Sequence, residues 1–204
     1  MGPCTVLDLA FTTTWESLSD SLCYHKKFML NDLHNIDDGV AGVPDVRACH
    51  QLSADYNRYE VLSVAYELIR PGTANMNIDW LYSVFPVVND YKLGTVWRQS
   101  PAALPTRAIC LETASSQRGA IKKFGTLTSA GDDDEGSFDL SELEGYDDGR
   151  VGVYTWGEAL DSYAAPTEKV WLDLLVFPCK LSVPVVAVRY LTMRIKYRVM
   201  FYGV

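Results

Sequence analysis

The sequence predicts an all-β protein with one domain over residues 1–204. We expect a single jelly roll, which is an eight-stranded antiparallel β-sandwich with long loops. Apolar and polar residues alternate with a period of two in several segments, as they do in strands. Clusters of Gly, Pro, Asn and Asp separate those segments. Strands do not alternate with helical segments, which argues against a doubly wound nucleotide-binding fold.

Seven or eight segments have the pattern of strands. In the first, at residues 5–15, Leu7, Leu9 and Phe11 alternate with polar or small residues. The others lie at residues 21–30, 61–68, 78–90, 120–129, 151–156, 168–181 and 183–204. Pro86 suggests an edge strand or a bulge in the fourth segment, because proline cannot donate to the hydrogen-bond ladder. We expect a short helix or turn at residues 49–59.

Two of these strands predict which residues enter the core, because successive side chains point to opposite faces of a sheet. In the third strand, one face is predicted to hold Leu62, Val64, Tyr66 and Leu68, and the other Val61, Ser63, Ala65 and Glu67. In the last strand, one face is predicted to hold Leu191, Met193, Ile195, Tyr197, Val199 and Phe201. Its other face holds Thr192, Arg194, Lys196, Arg198, Met200 and Tyr202.

Long loops are predicted at residues 31–47, 71–78, 91–119 and 130–150, and the last of these is acidic with at most one helical turn. Loops of this length usually have a function. Trp97, Tyr91 and Leu104 give the loop at residues 91–119 large apolar and aromatic side chains.

Composition limits the class of partner and the compartment. The net charge of −8 predicts repulsion of nucleic acid and anionic membranes by the surface as a whole. We expect no membrane span, because no apolar run is long enough, and no signal peptide, because MGPCTVLDLAF lacks a basic start and a long apolar stretch. The five cysteines are scattered without a C-x-x-C pair. We expect them to be reduced and mostly buried, which suits a reducing compartment such as the nucleus or cytoplasm.

No catalytic or cofactor motif is present. The sequence lacks phosphate-binding glycine motifs, H-E-x-x-H and the G-x-S-x-G elbow. His25, His34 and His50 form no spaced ligand pair, and no histidine neighbours Cys110. The sequence therefore predicts a protein that is not an enzyme and needs no cofactor.

Two charged clusters are candidate binding sites. Arg194, Lys196 and Arg198 recur at every second residue, so they share one face of a strand. They either bind phosphates of a nucleic acid or protect a solvent-facing outer strand against aggregation. The second cluster consists of Asp132, Asp133, Asp134 and Glu135. It is either a Ca²⁺ site or a solvated loop, because its spacing differs from that of an EF-hand.

The segments FMLNDL (28–33) and ADYNRYEVLSV (54–64), joined by a Gly/Pro-containing loop, carry a resemblance to a known family. They resemble the coat (capsid) proteins of small icosahedral viruses, most closely the circovirus-like proteins of circular single-stranded DNA viruses. The matching positions are Leu30, Asn31, Asp32, Tyr56, Tyr59 and Val61. The resemblance implies a jelly-roll subunit that assembles with itself, in about 60 copies, into the shell of a virion around a genome.

The sequence departs from that family at its start. Such coat proteins usually begin with an Arg- and Lys-rich arm, whereas the first basic residue here is Lys26. Either such an arm precedes this sequence or the coat assembles without one, and in the second case genome binding falls to Arg194, Lys196 and Arg198 and to Lys122 and Lys123. We expect assembly to depend on pH, salt or divalent ions, because clustered carboxylates repel each other at neutral pH.

Two other functions are compatible with a β-sandwich. One is a ligand- or carbohydrate-binding module, for which five Trp and twelve Tyr supply stacking surfaces. The other is a cupin-type enzyme, for which the three dispersed histidines fit poorly, since that site needs clustered metal ligands.

Overall fold

The computed structural model describes residues 4–17, 24–33, 35–37, 56–70, 80–88, 123–127, 133–143, 151–155, 162–164, 166, 169–178 and 189–203. Ten strands lie in these ranges. They are β1 (Cys4–Ser17), β2 (Tyr24–Met29), β3 (Arg58–Ile69), β4 (Trp80–Val88), β5 (Lys123–Leu127), β6 (Asp133–Asp139), β7 (Val151–Thr155), β8 (Ser162–Ala164), β9 (Val170–Pro178) and β10 (Arg189–Tyr202). One turn of 3-10 helix, Leu140–Glu142, follows β6. Among the described residues, no helix is long and apolar enough to cross a membrane.

The strands form two antiparallel sheets. The six-stranded sheet has the order β1-β10-β3-β7-β8, and β6 also pairs with β3. The four-stranded sheet has the order β2-β9-β4-β5. Eight of the strands form two sets of four, β1-β10-β3-β6 and β2-β9-β4-β5, and the hairpin β7–β8 is added beside the start of β3. This arrangement confirms the predicted all-β jelly-roll sandwich.

The core lies between the two sheets, and β10 contributes the longest row of side chains to it. All six residues predicted to face inward from β10 are at most 4% exposed. Leu172 and Leu174 of β9 and Val84 of β4 face this row from the other sheet and belong to the same hydrophobic cluster. The Tyr197 hydroxyl also donates a hydrogen bond of 3.2 Å to the Met29 carbonyl of β2, which ties the sheets together. The assignment of residues 1–204 to one domain stays a prediction.

The predicted inward face of β3 is wrong at its beginning. Arg198 of β10 lies opposite Ser63, but Val199 lies opposite Val61, so Leu62 is an extra residue in a β-bulge. The bulge reverses the alternation, so that Val61 is buried with Tyr59 and Leu62 is only half-buried. The strand also begins at Arg58, inside the segment predicted as a short helix or turn.

The predicted acidic loop also needs correction. Residues 133–139 of the predicted acidic loop form β6, which pairs with β3 from Ser63↔Asp139 to Ile69↔Asp133. Backbone pairing to a buried strand therefore fixes part of a segment whose composition is typical of a loop. Cys4 is free and exposed at the start of β1, whereas the prediction of mostly buried cysteines stays a prediction for the set. The other four cysteines lie outside the described residues.

The Leu-Asn-Asp turn (Leu30, Asn31 and Asp32) connects the end of β2 with the start of β9 and with the segment at Ile36. The Leu30 amide donates a 2.7 Å hydrogen bond to the Val170 carbonyl, and the Val170 amide donates a 2.9 Å bond to Asn31 Oδ1. The Met29 amide donates to the Ile36 carbonyl at 2.7 Å, which closes the turn. Leu30, Asn31 and Asp32 are all buried. Buried polar groups need hydrogen-bond partners. Here the Asn31 side chain accepts the hydrogen bond of the Val170 amide in place of a carbonyl of a neighbouring strand.

Position 136 of β6 requires glycine because the side chain of Tyr66 lies very close to its backbone. It lies opposite Tyr66 of β3, and a Cβ atom added to it would lie 2.6–2.7 Å from the ring and hydroxyl of Tyr66. Tyr66 is 5% exposed, so its ring has little room to move. We expect Gly136→Ala to lower the free energy of unfolding by about 1–3 kcal/mol, the usual cost of overpacking. Urea titration measures this value.

The matched control is Ser137→Ala, the next residue of β6, which is exposed and lies opposite Ala65. Its free energy of unfolding should stay within about 0.5 kcal/mol of the wild type. Equal stability of Gly136→Ala and Ser137→Ala would contradict the close approach of Tyr66.

Candidate functional site

The two sheets differ in what their outer faces present. On the four-stranded sheet, the outward residues Lys27, Met29, Ser83, Trp171 and Asp173 are at most 7% exposed. The Lys27 ammonium lies 3.9 Å from Asp173 and 5.5 Å from the centre of the Trp171 ring. On the six-stranded sheet, outward residues of β1, β10 and β6 are exposed. Within the described ranges, the outer face of the six-stranded sheet is therefore the open one.

The predicted basic strip lies on this open face. Arg194, Lys196 and Arg198 are all exposed on β10, with half-buried residues at the ends of the same row. Same-face residues of a strand are roughly 6.6–6.8 Å apart. The structure therefore brings these three predicted residues together as one line of positive charge.

Carboxylates on neighbouring strands accompany this line. Arg194 Nη1 donates to Glu67 Oε2 of β3 at 3.1 Å. Asp8 of β1 lies directly opposite Arg198. Lys196 lies between two small residues, Ala10 of β1 and Ala65 of β3. The centre of the strip is thus a cation surrounded by small side chains, whereas each end faces an acid.

The described charges of the open face nearly balance. Its described cationic side chains are Arg58, Arg194, Lys196 and Arg198. Its described carboxylates are Asp8, Glu60, Glu67, Glu135 and Asp139. Four positive and five negative charges give a net charge of −1 for these residues. Phosphates approaching the strip would therefore meet compensating carboxylates, which weakens the long-range attraction.

The other predicted basic residues lie elsewhere. Lys123 begins β5 opposite Val84, in the sheet that does not contain β10. Lys122 and the side chain of Lys123 lie outside the described residues. The backbone thus places Lys123 and the strip in different sheets.

The acidic cluster is divided by the strand that it forms. Asp134 lies opposite the buried Leu68 and is half-buried, whereas Glu135 lies opposite Glu67 and is exposed. These neighbours therefore point to opposite faces of the sheet. Asp132 and the side chain of Asp133 lie outside the described residues. Among the described side chains, no three His, Cys, Asp or Glu residues are grouped to hold a metal ion. Ca²⁺ binding by the whole cluster stays a prediction.

Asp134 instead contacts two tyrosines between the sheets. The Tyr82 hydroxyl of β4 donates a hydrogen bond to Asp134, and Tyr66 lies close enough to interact with the same carboxylate. Burial raises the pKa of both tyrosines well above the usual value, and the negative charge of Asp134 raises it further. The sequence indicated none of this, because the three residues lie on three different strands.

Of the three comparisons with known proteins, the comparison with solved structures found a match. No protein-family model matches this chain, and no curated protein matches its sequence. The chain is similar in structure to the 60-mer BFDV capsid protein, with a TM-score of 0.50 and 13% sequence identity over 99% of this chain and 95% of that chain. BFDV is a circovirus. This likeness shows that the chain has the jelly-roll fold of a capsid protein.

Two other solved structures match at a lower score. The decameric BFDV capsid protein has a TM-score of 0.47 and 12% identity, over 98% of this chain and 100% of that chain. The semi-empty VLP of the giant freshwater prawn Macrobrachium rosenbergii nodavirus has a TM-score of 0.47 and 12% identity, over 98% of this chain and 94% of that chain.

The raised pKa values predict how stability changes in alkali. In the folded state the tyrosines hold their protons to higher pH than in the unfolded state. Their contribution to the free energy of unfolding is therefore complete below about pH 10, the pKa of an unfolded tyrosine, and is lost as the pH rises above it. Each such tyrosine lowers the free energy of unfolding by up to about 1.4 kcal/mol per pH unit in that range.

We expect Tyr82→Phe to lower stability by about 1–3 kcal/mol at pH 7, since the hydrogen bond to a carboxylate is lost. Above pH 10, the stability of the variant should fall less steeply than that of the wild type. Urea unfolding between pH 7 and pH 11 measures both effects. Parallel curves for the two proteins above pH 10 would contradict the raised pKa of Tyr82.

Proposed function

We propose that this chain is the structural subunit of a small icosahedral capsid and that it assembles with itself into a closed shell. The observation that supports this most is the fold match with the 60-mer BFDV capsid protein, which spans 99% of this chain and 95% of that chain. The whole jelly roll, and not a fragment of it, is therefore shared. A shell of this kind has a structural role and carries out no catalysis.

Contacts between subunits are assigned to the long connections of the jelly roll. The chain uses 34 residues between the end of β4 at Val88 and the start of β5 at Lys123. Tyr91, Trp97 and Leu104 fall in this connection, and Tyr and Trp are enriched at protein interfaces. We assign the protein to the virion, with assembly in a reducing compartment of the host cell.

We further propose that the shell holds nucleic acid through Lys196 and the two arginines beside it. Lys196 lies among small residues, so a phosphate can approach its ammonium without displacing a carboxylate partner on a directly paired residue. The spacing of the strip, roughly 6.6–6.8 Å, suits successive charges along an extended strand. Because the described side chains of the surrounding face have a net charge of −1, this binding should be weak and sensitive to salt.

Electron microscopy of the purified protein tests the capsid function. We expect closed particles of uniform diameter, with a yield that changes with pH, salt or Ca²⁺ because a chain of net charge −8 repels its copies. Parallel samples at pH 5 and pH 8, at low and high NaCl, and with Ca²⁺ or EDTA measure this yield. Monomers under every condition would overturn the capsid function. Equal particle yields throughout would overturn only the electrostatic dependence.

Nucleic-acid retention by the shell tests the basic strip. We expect Lys196→Gln to lower the nucleic acid retained per particle and to reduce the salt dependence of binding by about one unit of log K against log salt. The matched control is Lys169→Gln, which removes an exposed lysine just before β9. The ratio of absorbance at 260 and 280 nm, after nuclease treatment, measures retention. Equal losses in both variants, or no loss in either, would contradict a specific role for the strip.

A further inference from the structure

The first strand forms a long edge of the six-stranded sheet. β1 has 14 residues and pairs along its whole length with β10 on one side. In the described sheet, no strand pairs with its other side. The other strands that are paired on one side in the described sheets are much shorter: β8 has three residues, β5 five, β2 six and β6 seven. β1 therefore presents the longest row of backbone groups suited to pairing with another strand.

The sequence of β1 has little of the usual protection of an edge. Natural proteins protect exposed edges with charged side chains (especially Lys), Pro, bulges, short strands or a covering segment. The strand CTVLDLAFTTTWES contains no Lys, Arg, Pro or Gly, carries Asp8 and Glu16 as its two charges, and keeps an unbroken register with β10 over all 14 residues. Val6 is 44% exposed on its outer face, and Ala10 is exposed as well. Such an edge is expected to pair with another strand rather than with water.

We propose that β1 pairs antiparallel with β1 of a second copy across a two-fold axis, so that two six-stranded sheets continue into each other. This inference rests on the proposed capsid function, because a closed shell of identical subunits needs two-fold contacts between copies. The occupant is a second copy because the strand is complementary to itself in this orientation.

The complementarity follows from the order of residues around Ala10. With the axis at Ala10, Leu9 lies opposite Phe11 of the second copy, on the inner face that each subunit already buries. Asp8 lies opposite Thr12, and Val6 lies opposite Thr14. No carboxylate faces another carboxylate, and the apolar row continues across the junction. Apolar cross-strand pairs of this kind stabilise antiparallel sheets.

A pair of alanine substitutions tests the contact. Ala10 and Ala65 both lie opposite Lys196, the first on the edge strand and the second in the interior of the sheet. Ala10→Glu and Ala65→Glu each place a carboxylate beside the same lysine, and each has one acid two residues away on its own strand, Asp8 or Glu67. Only at residue 10 would the new carboxylate face its own copy across the axis.

We expect Ala10→Glu to weaken dimer formation at least about tenfold, because like charges that face each other in an interface repel. Ala65→Glu should dimerise within about threefold of the wild type. Sedimentation equilibrium of each full-length protein, in a buffer where shells do not form, measures the dissociation constants. Circular dichroism and urea unfolding confirm that both variants are folded.

Hydrogen exchange of the β1 amides supplies a second measurement. We expect amides directed away from β10 to exchange quickly in the monomer and slowly in the dimer and the shell. Equal dimer constants for the two variants would overturn the pairing of β1 but leave the capsid function intact. Slow exchange already in the monomer would show that another segment of the same chain covers the edge, which also overturns the proposal. A wild type that never associates would instead overturn the capsid function.

Discussion

The alternation of β10 is the constraint on which the structure depends. Its inward row is almost completely buried, and burying each large apolar side chain contributes roughly 1.5–3 kcal/mol. β10 lies between β1 and β3, so the last strand of the chain joins the first strand to the middle of the sheet. A shift of one residue would expose the whole row and bury Arg194, Lys196 and Arg198. The same periodicity that builds the core therefore forces the basic strip onto the surface.

The two outer faces of the sandwich then acquire different roles. The four-stranded sheet buries an ion pair, Lys27 with Asp173, together with Trp171 on its outer side. A buried ion pair is weak evidence for stability, but breaking one leaves an uncompensated charge at a cost of about 3–5 kcal/mol. The outer side of the four-stranded sheet is therefore buried and contributes to the stability of the fold. The face of the six-stranded sheet, which is open and whose described charges nearly balance, remains for contacts with other molecules.

Local sequence patterns predicted the strands of the core well, because the period of two is a local property. They identified the inward row of β10, the Leu9 and Phe11 row of β1 and the turn at Asn31. They failed where pairing between distant residues decides the structure. The bulge at Leu62 depends on the register between β3 and β10, and the acidic segment becomes β6 because β3 offers it a partner.

The sequence predicted the basic strip of the candidate site but not its counterions, because spacing along one strand is local and pairing between strands is not. The common face of Arg194, Lys196 and Arg198 follows from spacing along one strand. Their counterions do not, because Glu67 is 127 residues away from Arg194 and Asp8 lies on the first strand. These counterions could be recognised in the sequence only if the register between β10 and its paired strands were already known.

The mass of the purified protein in solution tests the central claim most directly. If 60 copies of the 22.8 kDa chain form a shell, mass photometry should detect a particle of about 1.4 MDa without bound nucleic acid. Discrete dimers or other small oligomers are expected as intermediates of the same assembly. A single species of 22.8 kDa at every concentration, pH and salt condition would contradict the account.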